Sequence, residues 1–362
     1  MKINSIEIEN YRNIEKAQMS FDDVNIIYGK NAQGKTNLIE AIYLFTGAKS
    51  FRGAKDAETV RFGCDFARLK INFEGKDRLQ EATLVIKNRR QATLNGIKKT
   101  SPSALGDEVK AVVFSPAHLS MIKSGPAERR KFIDTALCQI KSGYKKLLSD
   151  YNRCLVQRNI LLKDIGEGKI DPDMLCIWNR NIVKTGAKII YQRAKYIEAL
   201  QKPAEEIHFG LSGDREKIGL SVTGSFEPAG MSLEEIESAL SEKMQEAQKE
   251  DMYLRATTVG PHRDDLEITI NGFSARKYGS QGQQRSCVLS LKLAEAEILS
   301  RMTGDEPIAL LDDVMSELDE TRQDYILNHM KNRQIFITCC DANTVLRLKE
   351  GKTFHIENGG IA

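Results

Sequence analysis

The segment Gly29-Lys30-Asn31-Ala32-Gln33-Gly34-Lys35-Thr36 meets every fixed position of the G-x-x-x-x-G-K-[ST] phosphate-binding loop. Its flanks agree with that assignment. Residues 23–28 read as a buried strand entering the loop, and residues 37–44, beginning at Asn37, as a helix leaving it. In such a unit the glycines let backbone N–H groups curl around a phosphate, and the helix N-terminus adds the positive end of its dipole. Lys35 is then expected on the β- and γ-phosphates, with the Thr36 hydroxyl on Mg²⁺. The chain is expected to bind a nucleoside triphosphate.

Length and composition set the frame around this loop. The 362 residues suggest two or three domain-sized units at about 150 residues each. A hydrophobic content of 41% with 28% charged residues is ordinary for a globular protein with a real core. The seven cysteines form no C-x-x-C pair, which points to reduced thiols in a cytosolic protein. No signal peptide opens the chain and no apolar run is long enough to cross a bilayer, so the expectation is a cytoplasmic protein without a membrane partner.

Residues 1–115 are rich in short alternating strands, with a hairpin turn expected at Asn95-Gly96, where both residues tolerate positive φ. From 127 to about 165 apolar residues recur at helical spacing with hardly a break, and a second helical run follows over about 174–207. These predict an antiparallel hairpin of two helices, each about 50 Å long. A third helix near 232–250 opens on a capping-box sequence, Ser232-Leu233-Glu234-Glu235. After 250, strand and helix signals alternate again, as in an α/β half that completes a domain begun at residue 1. The expected division is an α/β head over 1–115 and 251–362, with a mainly helical arm inserted over 116–250.

Charge separates these parts. Residues 116–202 hold 17 Lys and Arg against 8 Asp and Glu, a local +9, while 203–250 hold 4 against 11, a local −7. A basic helical segment on a chain of net charge +3 is a candidate polyanion surface. A merely solvated helix face would give the same count.

Two further segments fit the phosphate loop. Ile308-Ala309-Leu310-Leu311 is an apolar strand ending in Asp312 and Asp313. The first carboxylate is expected beside the loop, holding Mg²⁺, and the second is placed to orient or deprotonate an attacking water. Gly279-Ser280-Gln281-Gly282-Gln283-Gln284-Arg285 precedes a long helix. A small, hydroxyl-bearing turn at a helix N-terminus is a second phosphate site. One chain already has its own loop, so Ser280, Gly282 and Gln283 are expected to serve the nucleotide of a second subunit, as in ATP-binding-cassette ATPases.

At this point the chain resembles the RecF family, bacterial recombination-mediator ATPases within the Smc-like group of ABC ATPases. The resemblance runs along essentially the whole length. Besides the loop and the two segments above, it rests on Glu9-Asn10-Tyr11-Arg12-Asn13, Lys49-Ser50-Phe51-Arg52, Phe114-Ser115-Pro116, Arg129-Arg130-Lys131-Phe132-Ile133-Asp134 and Gly260-Pro261-His262-Arg263-Asp264-Asp265. It implies an ABC-type ATPase head, ATP and Mg²⁺ as ligands, and Arg12 and Asn13 near the nucleotide. It implies an ATP-dependent homodimer that clamps duplex DNA at gaps or single-strand/double-strand junctions and opens on slow ATP hydrolysis. Cooperation with RecO and RecR in loading RecA onto gapped DNA follows from the resemblance only. The chain departs from the pattern in three places. Ala117-His118 replaces an acidic pair, Ser115-Pro116 stands where a glutamine commonly senses Mg²⁺, and Cys339-Cys340-Asp341 replaces the transporter-type switch histidine.

DNA contacts need no motif, because Lys and Arg on phosphates supply most sequence-independent affinity. Candidates are Lys49, Arg52, Lys87, Arg89, Arg90, Lys98, Lys99, Arg129, Arg130 and Lys131; Arg129 and Arg130 could equally be internal salt-bridge partners. Two other classes compete with this reading. A transporter ATPase subunit is disfavoured by the roughly 240 residues separating loop and signature. A purely architectural clamp that binds ATP without turnover is disfavoured by Asp312-Asp313.

Overall fold

Strand Val24–Tyr28 carries the phosphate loop out of the middle of a six-stranded sheet, and four of its five residues are buried. A computed structural model describes residues 1–75, 78–341 and 350–361. The sheet runs Gly360–Ile361, Lys352–Glu357, Val24–Tyr28, Ile335–Cys339, Ile308–Leu311, Ala111–Phe114. All its pairings are parallel except that of the short edge strand Gly360–Ile361. Parallel strands covered on both faces read as unbroken apolar runs, and Ile308–Leu311, Ile335–Cys339 and Ala111–Phe114 are buried at every position.

A second six-stranded sheet, Ile14–Ser20, Lys2–Tyr11, Ala67–Gly75, Arg78–Ile86, Arg90–Leu94, Ile97–Lys98, belongs to the same unit. Its pairings are antiparallel and its inner strands alternate buried and half-exposed positions. Ile3, Leu69 and Phe73 from this sheet share one core with Ile27, Leu310 and Phe336 of the parallel sheet and with Leu38 and Ile42 of helix Lys35–Tyr43. The hairpin turn at Asn95-Gly96 is present, with φ of 49° and 77°.

The chain divides into two compact units, Met1–Ser120 with Arg285–Ala362, and Met121–Gln284. The arm therefore does not end at 250. Strand Ile218–Thr223, which the sequence pattern did not reveal, pairs antiparallel with Asp265–Ile270 and draws residues 251–284 into the second unit. Buried ion pairs reinforce that assignment. Arg158 meets Asp251 at 2.6 Å with both side chains fully enclosed, and Arg193 meets Asp134 at 2.8 Å and Asp264 at 3.4 Å. His262 is held between the Tyr151 hydroxyl (2.6 Å) and the Thr257 carbonyl (3.0 Å), a structural role.

The first expected long helix is two, Pro126–Ile140 and Tyr144–Gly166. Gly143 takes φ 85° at the break, where an extended helix would need a right-handed residue. Apolar spacing alone does not register a break of three residues. The partner helix is unbroken over Leu175–Leu211. Helix Leu233–Glu246 begins with the expected box, in which Ser232 Oγ accepts from Glu235 N–H and Glu235 accepts from Ser232 N–H. The seven cysteines form no disulfide, and among the described residues no helix is long and apolar enough to cross a membrane.

Candidate nucleotide-binding site

Two glycines allow the phosphate loop its shape. Gly29 has φ 149°, and a Cβ there would lie 2.3 Å from the Ile356 carbonyl oxygen. Gly34 has φ 118°, and its missing Cβ would sit 2.8 Å from Asn13 Oδ1. Gly34 is the N-cap of helix Lys35–Tyr43, and no side chain caps it. Asn37 N–H donates to the Gly34 carbonyl at 3.0 Å, and the N–H groups of Lys35 and Thr36 face an anion at the positive end of the helix. Lys35 is buried, with its ammonium 2.6 Å from the Gly29 carbonyl and 3.7 Å from Cys340 Sγ.

The carboxylate strand ends beside the loop. Thr36 Oγ1 donates to Asp312 Oδ1 at 2.8 Å, joining residues 276 positions apart. Thr338, on the strand between them, donates to the same oxygen at 3.0 Å and accepts from Asp313 N–H at 2.8 Å. Burial pushes the Asp312 carboxyl above its ordinary value; the hydrogen bonds from Thr36 and Thr338 oppose this, and the neighbouring Asp313 adds to it. Asp313 takes φ 51°, uncommon for a non-glycine residue, and lines the cleft. No group of three or more His, Cys, Asp or Glu able to hold a metal occurs among the described residues. One hydroxyl and one carboxylate nevertheless suit a Mg²⁺ ion that keeps waters and phosphate oxygens as its other ligands.

Arg12 and Asn13 brace this loop. Arg12 grips Glu40 with two parallel hydrogen bonds, Nε to Oε2 at 2.9 Å and a second nitrogen to Oε1 at 3.0 Å. Tyr11 and Ser50 hydroxyls donate to the same carboxylate. Burial alone would raise the Glu40 carboxyl, but the bonds from Arg12 and Ser50 outweigh it and hold it below the ordinary value. Asn13 donates to the Gln33 carbonyl (2.9 Å) and accepts from Asn37 (2.7 Å), whose own carbonyl oxygen accepts from Arg52 (2.9 Å). Gln33 also accepts from Gly359 N–H at 2.9 Å. Lys30, Asn31 and Ala32 form the exposed outer rim. Together Arg12, Asn13, Lys35, Thr36 and Asp313 line a cleft of about 990 Å³.

Sequence reasoning did not single out Thr338 or Glu40. Each has a visible signal: a hydroxyl inside the apolar run Ile335–Cys339, and a carboxylate inside the apolar helix Lys35–Tyr43.

The signature residues lie in the second unit. Ser280 Oγ accepts from Gln283 N–H (3.2 Å) and Gln283 Oε1 accepts from Ser280 N–H (2.8 Å), while Gln283 Nε2 donates to Glu216 (2.8 Å). Ser280 and Gly282 are exposed, and a Cβ on Gly282 would touch only Ser280 Oγ at 4.0 Å.

The basic candidates divide. Lys49, Arg52, Lys87, Arg89, Lys98 and Lys131 are exposed, and Lys99 is half-buried. Arg90 is turned inward, donating to the Ala48 carbonyl at 2.6 Å and pairing with Asp56 at 2.9 Å. Arg129 is 3% exposed, pairs with Asp265 at 2.6 Å and donates to the Met121, Ile122 and Ser124 carbonyls. Arg130 is half-buried and donates to the Asp264 carbonyl at 2.6 Å. Arg90 and Arg129 are therefore turned inward, each paired with a carboxylate of its own unit.

The chain matches the model described as "RecF/RecN/SMC N terminal domain" over residues 2–360. It is 41% identical over 366 residues to the DNA replication and repair protein RecF of Agathobacter rectalis, covering 100% of this chain and 99% of that protein. A solved structure described as the recombination mediator protein RecF-ATPrS in the RecFOR pathway superposes with a TM-score of 0.93 at 36% identity, covering 99% of this chain and 97% of that one. A second, described as RecF-ATP in the same pathway, gives 0.92 at 36% identity, covering 100% and 97%. With its loop, its carboxylate strand and its whole length accounted for in this way, the chain belongs to the RecF family.

Proposed function

We propose that this chain is an ATP-dependent DNA-binding mediator of replication and recombination repair. The Thr36–Asp312 contact carries the nucleotide part of the reading, because it brings the two halves of a phosphate-loop ATPase within 2.8 Å of each other. Lys35 binds the β- and γ-phosphates, backbone N–H groups from Gly29 to Thr36 cradle them, and Asn37, Asn13 and Arg12 hold the loop in shape. Thr36 and Asp312 hold Mg²⁺, which when bound neutralises phosphate charge. Asp313 orients the water that attacks the γ-phosphate and draws its proton. Ser280, Gly282 and Gln283 of a second copy complete the site from across an ATP-dependent dimer interface. The exposure of Ser280 and Gly282 supports this, as does the absence of any packing reason for glycine at 282. The dimer grips duplex DNA near a gap through exposed cations such as Lys49, Arg52 and Arg89, and slow hydrolysis releases it. RecO and RecR are the expected partners, in support of RecA loading.

Binding of a fluorescent gapped duplex, followed by anisotropy, tests the coupling of ATP to DNA. Affinity in MgATP is expected to exceed that in MgADP or without nucleotide by about tenfold, and to fall steeply with salt. Equal affinity in all three states would overturn the ATP-dependent clamp.

A further inference from the structure

We propose that Phe62 is a stacking platform for the base of the bound nucleotide. The inference rests on the ATP reading above and assigns the end of the cleft that the phosphate chemistry leaves unused. Phe62 is 102% exposed, the highest value among the large hydrophobic side chains of the described residues. Scattered apolar side chains on a surface need no explanation. Phe62 differs because it lines the same cleft as Lys35, Thr36 and Asp313, and is the one aromatic residue in that lining.

The backbone that presents it is anchored. Thr59 accepts from Arg12 N–H at 2.8 Å, Val60 bridges to Tyr11, and Arg61 N–H donates to the Asn10 carbonyl at 2.9 Å. The Arg61 guanidinium pairs with Glu15 at 3.1 Å and reaches the Asn13 carbonyl at 3.4 Å. The phenyl ring is thus held in water at the rim of the cleft by a segment tied to the first strand. Arg12 is committed along its edge to Glu40 and the Glu58 carbonyl, as part of the brace behind the loop. A flat π-face at the rim of a phosphate cleft suits a heterocyclic base and gives nothing to the phosphates. Stacking of this kind accepts any base, so Phe62 supplies affinity for the nucleoside with little discrimination among bases.

Inorganic triphosphate shares the phosphates of ATP and lacks the base, so the pair isolates the platform. Calorimetry of wild type, Phe62→Ala and Phe62→Tyr would use each ligand with Mg²⁺. Phe62→Ala is expected to weaken ATP on the order of tenfold and leave triphosphate within about twofold, with Phe62→Tyr restoring ATP affinity. Undiminished ATP binding by Phe62→Ala would overturn the proposal. So would an equal loss for both ligands, which would mark a collapsed loop. Wild type that binds neither ligand would refute the nucleotide reading itself and take the platform with it.

Discussion

Lys35→Ala is expected to weaken MgATP binding by about a hundredfold while leaving the protein folded. The ammonium is buried at the mouth of the loop, with its donors on the Gly29 carbonyl and near Cys340. Truncating one partner of a desolvated charge pair costs about 2–5 kcal/mol, and about 1.4 kcal/mol corresponds to a tenfold change in affinity. Without nucleotide the alanine loses only contacts to neutral groups, the Gly29 carbonyl and Cys340 Sγ, so thermal stability of the free protein is expected to change little. Calorimetry beside a melting curve checks both halves. A variant that binds MgATP as wild type does would remove Lys35 from the phosphate site.

Asp312→Asn has the second large effect, and it falls on turnover. Asp312 is the carboxylate joined to Thr36, and the amide that replaces it cannot balance the cation charge beside a transferring phosphoryl group. A loss of about a hundredfold or more in hydrolysis is expected, with ATP binding retained in large part. The direction of its pKa sharpens the test. Burial raises the Asp312 carboxyl, partly against the Thr36 and Thr338 hydrogen bonds. A carboxyl raised by folding holds its proton more tightly in the folded state, so its contribution to the stability of the free protein grows as pH falls. Near neutral pH the ionised form carries a desolvation cost that asparagine lacks. The free variant is therefore expected to be at least as stable as wild type near neutral pH. Phosphate release and melting curves measured across pH check this. Full activity in Asp312→Asn would displace the carboxylate from the site.

The parts of this protein that were legible in its sequence are those that local rules dictate. The phosphate loop needs glycines at two left-handed positions, and Gly29 and Gly34 supply them where any side chain would strike Ile356 or Asn13. Ile308–Leu311 reads as a buried strand because a parallel sheet covers both faces, and its bounds match the apolar run. The Ser232 capping box is another local device, and it forms as written. What escaped notice depends on distant partners. Ile218–Thr223 alternates weakly and becomes a strand through Asp265–Ile270, so the arm boundary could not be drawn from composition. The break at Gly143 hides within one apolar period. Arg90 and Arg129 look like other basic residues until Asp56 and Asp265 are seen to hold them. Charge counts give the number of cations on a segment and leave open which of them face water.

Ser280→Arg offers the most direct test of the central claim that ATP joins two copies, each completing the other's site. Sedimentation of wild type and variant, with and without MgATP, reads the outcome. The account predicts that wild type moves from monomer to dimer only with ATP, whereas Ser280→Arg binds ATP normally and stays monomeric. ATP-independent dimerisation, or a dimer that survives Ser280→Arg, would contradict it.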